Sequence, residues 1–188
     1  MRSLRILLDV NVLVTNVLSR AAGRTGTVSQ KLVSAVASGQ LGETSVQLVL
    51  SIGMIAKFGK VLLRHGAAPA KVQEAHDALV DVVRRGPEGL DPFLLLGAGE
   101  AGIALLDRED AAARADLLVT DNLTDFAVKG SSAAPTSRVR HVDGRSRRLE
   151  CRSIKTPSGH RVIVAHPIDV LQRSLRGQPL DFRDLHLP

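Results

Sequence analysis

Aromatic side chains are scarce: the 188-residue chain has four Phe and neither Trp nor Tyr. Stacking platforms for single-stranded nucleic acid therefore have few side chains to work with, and any such contact must lean on Arg and Lys. Cys151 is the only cysteine, which excludes an intrachain disulfide and fits a reducing cytosol. No apolar run approaches the roughly 20 residues that span a bilayer, and the N-terminus enters a strand-like run in place of a signal peptide. A cytoplasmic protein without membrane contact is the expectation. The histidines, His65, His76, His141, His160, His166 and His186, show no recurrent ligand spacing, which argues against zinc. Neither a Ser nor Cys151 sits in a nucleophile motif.

What is present is a chain that is 44% hydrophobic, long enough to bury a core and short enough to form one domain. Lys and Arg number 25 against 19 Asp and Glu, giving a net charge of +6. That surplus suits a polyanionic partner, although charge alone does not identify one. The basic residues concentrate late in the chain, at Arg138, Arg140, Arg145, Arg147, Arg148, Arg152, Lys155 and Arg161. Such a cluster reads either as a nucleic-acid groove or as a solvated face.

Residues 4–13 run an apolar stretch into Asp9, with Asn11 two positions on, and residues 116–126 (DLLVTDNLTDF) repeat the pattern. Continuous apolar runs are the mark of buried parallel strands, whose carboxyl ends carry the ligand site in open α/β sheets. Two such strands ending in Asp and Asn would gather the oxygen ligands that Mg²⁺ or Mn²⁺ requires. Between them, a loop at residues 22–27 leads to Thr27 as a helix cap, with Val28, Leu32, Ala35 and Val36 inward and Gly39 at the end. A strand is expected at 46–50, a helix at 52–65 with Ile52, Ile55, Phe58 or Gly59, and Leu62 inward, and another from Pro69 with Val72, Ala75, Leu79, Val82 and Val83 inward. Residues 93–96 have strand character. Strands are also expected at 139–142, 149–154 and 161–165, and a last helix from Pro167 carrying Ile168, Val170, Leu171 and Leu175.

Taken together, residues 7–14 (LLDVNVLV), the cluster 107–110 (DRED) and residues 115–126 resemble the PIN-domain family, and among its members the toxin components of bacterial toxin-antitoxin pairs. The likeness runs in order from Met1 to about Phe126, and the HPIDVL segment from His166 resembles the tail of one subfamily. It implies a three-layer α/β/α domain with a mainly parallel central sheet, residues 1–130 forming the core and 131–188 a β-hairpin and helix packed on it. It further implies a cytoplasmic endoribonuclease that holds Mg²⁺ or Mn²⁺ on clustered carboxylates, with RNA as substrate and an antitoxin protein as partner; homodimerisation is left open. Carried over by position, Asp9, Asp110 and Asp125 are the catalytic acids, and Asp121 joins them as a metal ligand. Asn11, Glu100, Asp107, Glu109 and Asn122 are supporting or alternative groups, and Arg145, Arg147 and Arg148 are RNA contacts.

The chain departs from the family pattern in two places. Lys57 stands where members usually have a Glu, four residues before Val61-Leu62, and Asp110 lies six residues before Asp116, too close for the usual helix. Either Glu100 takes that acid's place or the helix is truncated. A catalytically weakened fold that binds RNA or an antitoxin without efficient cleavage is therefore the alternative. A third reading comes from Gly97, Gly99 and Gly102, which have the spacing of a dinucleotide-binding turn with Asp121 some 24 residues on. Its mid-chain position leaves too little sequence to build the remaining strands of that fold.

Overall fold

The computed structural model describes residues 3–84, 94–95, 115–126, 131–133, 138–140, 146–149, 151–155, 160–182 and 184. In chain order the strands are β1 (Leu4–Leu8), β2 (Gln40–Leu41), β3 (Thr44–Ser51), β4 (Leu94–Leu95), β5 (Leu117–Val119), β6 (Ser131–Ala133), β7 (Arg138–Arg140), β8 (Ser146–Arg148), β9 (Cys151–Lys155) and β10 (Arg161–Ala165). The helices are α1 (Val10–Ala21), α2 (Val28–Ala37), α3 (Ile52–Arg64), α4 (Pro69–Arg84) and α5 (Pro167–Leu175). The architecture is mixed α/β on a mostly parallel sheet, ordered β2-β3-β1-β5-β10-β9-β6, with β4 also pairing β3. Its centre is parallel: Ile6 lies opposite Leu48 on one side and Leu117 on the other, and Leu117 opposite Ile163.

Consecutive residues of the central strands are buried, including Ile6, Leu7 and Leu8 in β1 and Leu117, Leu118 and Val119 in β5. Neighbours in a strand point to opposite faces, so the sheet is covered on both sides, as parallel strands require. The antiparallel pairs, β2 with β3 and β9 with both β10 and β6, lie toward the edges. β10 sits inside the sheet between β5 and β9. Residues either side of position 130 thus contribute strands to one sheet. No helix among the described residues is long and apolar enough to cross a membrane.

Residues 10–21 form a helix to which the sequence reading, with its first strand ending at Asp9, assigns no element. Val10, Val12, Val14, Thr15 and Val17 are β-branched and helix-averse by up to about 0.7 kcal/mol each. Asp9 overrides them locally, since its Oδ1 accepts from the Val10 N–H at 2.6 Å and caps the first turn. Burial of Val10, Val12, Leu13 and Val14 then contributes about 1.5–3 kcal/mol per side chain, which outweighs propensity. At α2 the sequence expectation holds: Thr27 Oγ1 accepts from Gln30 N, and Gln30 Oε1 accepts from Thr27 N, closing a capping box.

Gly42 makes the turn between β2 and β3 for two reasons. Its φ is 64°, at the first central position of a two-residue hairpin loop, and a Cβ there would lie 2.7 Å from the Ser174 carbonyl of the abutting helix α5. In α5 the inward face differs from expectation. Leu175 is 62% exposed, while Asp169 and Arg173 are buried. Arg173 donates from Nε and Nη2 to the Pro179 carbonyl, pairs with Asp184 and lies 4.4 Å from the Phe182 ring centroid. This polar anchor rotates the helix away from a purely apolar packing stripe. The basic segment also divides: Arg138, Arg140, Arg147 and Arg148 lie on the separate β7-β8 ribbon, and Arg152, Lys155 and Arg161 on the β9-β10 hairpin of the main sheet.

Candidate functional site at the carboxyl edge of the sheet

Leu8, Val119 and Ala165 are register partners across β1, β5 and β10. The next residues, Asp9, Thr120 and His166, therefore leave the sheet side by side at its carboxyl edge. The ladder continues to this point, with Asp9 N donating to Val119 O at 2.9 Å and Thr120 N to Ala165 O at 3.1 Å. Asp9 then caps α1, and His166 caps α5 through Nδ1, which accepts from Ile168 N. Two helix N-termini consequently direct their positive ends toward this edge, an arrangement that favours anionic groups.

Thr120 is the hub. Fully buried, its hydroxyl donates to Asp9 Oδ2 at 2.7 Å and accepts from Asn122 N at 3.0 Å and Asn11 Nδ2 at 3.3 Å. Its one donor and two acceptor positions are all in use. Asp9 is thereby fixed at both oxygens, Oδ1 on the Val10 N–H and Oδ2 on the threonine. Beyond the hub, Asn122 Nδ2 donates to Asp125 Oδ2 at 2.7 Å, and Thr124 Oγ1 donates to Asn122 Oδ1 at 2.6 Å. Asp125 thus belongs to the same loop and, among the described residues, is linked to Asp9 through Asn122 and Thr120.

Asp121 stands against His166, with 3.5 Å between Oδ1 and Nε2. Because His166 Nδ1 accepts from the backbone, the proton of a neutral ring resides on Nε2 and faces the carboxylate. Partial desolvation raises the Asp121 pKa from its ordinary value; the His166 ring opposes the shift and the nearby Asp9 carboxylate adds to it. With 43% of its side chain exposed, Asp121 remains accessible from solvent.

Asn11 Oδ1 is buried and has no hydrogen-bond partner among the described residues. An orphan acceptor on a side chain bonded to Thr120, which also holds Asp9, is the kind of atom a cation would satisfy. Asp9, Asp121 and Asn11 are hard oxygen donors, and Mg²⁺ commonly takes one or two carboxylates and keeps several waters, so these residues fit an open metal site. Among the described residues no group of three or more His, Cys, Asp or Glu side chains is gathered as a metal cluster.

Of the residues singled out from the sequence, the structure brings Asp9, Asn11 and Asp121 to one edge, with Asn122 and Asp125 on the adjoining turn. Glu100, Asp107, Glu109, Asp110, Arg145 and the glycines Gly97, Gly99 and Gly102 lie outside the described residues. Lys57 is exposed on α3, and Arg148 is exposed on β8. Sequence reasoning passed over Thr120 and His166. The signal was available in the register: each follows the last residue of an apolar run, as Asp9 does. Neither a protein-family model, a curated protein nor a solved structure matches the chain.

Proposed function

We propose that the chain is a metal-dependent endoribonuclease of PIN type, acting as the toxin-like component of a toxin-antitoxin pair on a three-layer α/β/α fold. The observation that carries the reading is the emergence of Asp9, Thr120 and His166 in one register row, with Asp121 next in the chain and the Asn11 carbonyl left without a partner among the described residues. In this reading Asp9 and Asp121 hold Mg²⁺ or Mn²⁺, with Asn11 Oδ1 as a neutral donor and Asp110 or Glu100 completing the acids. The ion, when bound, supplies a Lewis acid and a water activated near neutral pH.

The chain's own groups do the positioning. Thr120 locks the Asp9 rotamer, and the His166 ring stands against Asp121. The α1 and α5 N-termini draw the scissile phosphate to the edge. Arg145, Arg147 and Arg148 are the proposed contacts to the RNA backbone. An RNA- or antitoxin-binding protein without efficient cleavage is the second reading. It is favoured by Lys57 on α3 and by the short Asn122–Asp125 bond, which occupies one carboxylate oxygen.

Calorimetric titration with Mn²⁺ tests the site without reference to activity. The intact chain is expected to bind, and Asp9→Asn and Asp121→Asn each to weaken binding by about tenfold or more, as even outer-shell changes cost 10–100-fold. Equal affinity in all three proteins would remove both residues from the metal site.

A further inference from the structure

Between the end of α1 and the start of α2 lies a cavity of about 450 Å³ whose lining carries three cations, Arg20, Arg24 and Lys31, and no carboxylate. All three are exposed. Arg20 is nonetheless fixed: Nε donates to Asn16 Oδ1 and Nη2 to Ser34 Oγ, both at 3.2 Å. Both acceptors are neutral, so the guanidinium is oriented while no acid among the described residues compensates its charge. Arg24 and Lys31 make no side-chain hydrogen bond or ion pair among the described residues.

The loop that closes the cavity is also held in place. Gly23 and Gly26 adopt φ of 69° and 68°. Buried Gln30 donates from Nε2 to the Arg24 carbonyl at 2.7 Å and to Ser19 Oγ at 3.0 Å, in addition to its part in the capping box. Thr25 and Gly26, which line the cavity, make no hydrogen bond among the described residues, so their backbone donors are available. Left-handed glycines in a turn turn successive N–H groups inward and create concavities for anions. Three like charges around one cavity repel unless an anion lies among them.

We infer that this cavity binds phosphate, and that the phosphate is carried by an RNA strand; the second half rests on the ribonuclease reading above. An oriented guanidinium matches phosphate geometry in a bidentate way, and the neighbouring lysine adds a point charge. From Asp9 the cavity is one helix away, about 18 Å for the 12 residues of α1. It is therefore an anchor for strand outside the segment being cleaved.

The test is fluorescence anisotropy of a labelled single-stranded oligoribonucleotide, in EDTA so that no cleavage takes place, over a series of salt concentrations. Arg24→Ala combined with Lys31→Ala is expected to lower affinity about tenfold and to reduce the salt slope by about 1.4, since each single-strand phosphate contact contributes about 0.7. Arg24→Lys with Lys31→Arg is expected to retain both, and thermal melting to be unchanged in either variant because the residues are exposed. Inorganic phosphate and a nucleoside monophosphate serve as the second arm. If these compete through Arg24 and Lys31 while the oligoribonucleotide is indifferent to both residues, the RNA half is overturned. Unchanged affinity and slope for every probe overturns the site, as does binding of an acidic peptide there in place of the oligoribonucleotide. Intact, Arg24-dependent RNA binding in a protein that never cleaves would instead sink the nuclease reading and leave this one standing.

Discussion

Replacing Thr120 by Val removes one oxygen at nearly constant shape, and the structure fixes what that oxygen does. It donates to the Asp9 carboxylate at 2.7 Å and accepts from Asn122 N and Asn11 Nδ2 at 3.0 and 3.3 Å. A hydrogen bond to a charged group is worth about 1.5–3 kcal/mol and a neutral one about 0.5–1.5. The three are not additive, and solvent reaches the half-buried Asp9, so a loss of roughly 2–4 kcal/mol is expected. For a chain of this length that corresponds to a fall in Tm of roughly 5–15 °C. Thr120→Ser keeps the hydroxyl and loses one methyl, at a cost of about 1 kcal/mol. Denaturant unfolding of the three proteins at equal m value is the assay. A valine variant within about 0.5 kcal/mol of the parent, the spread of ordinary surface changes, would refute Thr120 as the hub of this edge.

Asp121 gives a pH-dependent expectation. Its folded-state pKa lies above the unfolded value, so its ionisation costs stability, and that cost is present above the raised pKa and absent below the unfolded one. Asp121→Asn should therefore melt higher than the parent near neutral pH, with the difference vanishing as the pH falls through the carboxylate range. The gain is modest because the side chain is 43% exposed, and a constant difference at all pH values would contradict the cause given. Cys151 is buried, and burial pushes its thiol up to about 12, the Arg173 charge opposing the shift. Thiol reagents at pH 8 should leave it unmodified in the native protein and label it on unfolding, making it a probe of global opening; rapid native labelling would show that β9 opens locally.

Much of the fold was legible because buried parallel strands write themselves as uninterrupted apolar runs. β1, β3, β5 and β10 are all of this kind, and each of the last three was placed within a residue or two. Helices α2, α3 and α4 were legible from Thr27, Pro69 and the spacing of Leu32, Phe58, Leu62 and Leu79. The first helix was hidden by its own valines, whose β preference only the Asp9 cap and tertiary burial overcome. β6, Ser131–Ala133, has no periodic signal and exists only by pairing with β9. Asp9, Asn11 and Asp121 were visible as chemistry, whereas Thr120 and His166 needed the strand register, which only the folded sheet supplies. His166 in particular was masked by the following proline, which reads as a helix start and not as a site.

The most direct measurement is cleavage of single-stranded RNA by the purified chain with Mg²⁺ or Mn²⁺, compared with Asp9→Asn. That substitution keeps the shape of the α1 cap and removes the charge at the centre of the edge. Metal-dependent cleavage by the intact chain, lowered at least about a hundredfold in a variant that melts as a folded protein, is the expected result, given that outer-shell ligand partners alone cost 10–100-fold. Cleavage that persists unchanged in Asp9→Asn, or that survives EDTA, would contradict a metal-dependent site built on Asp9.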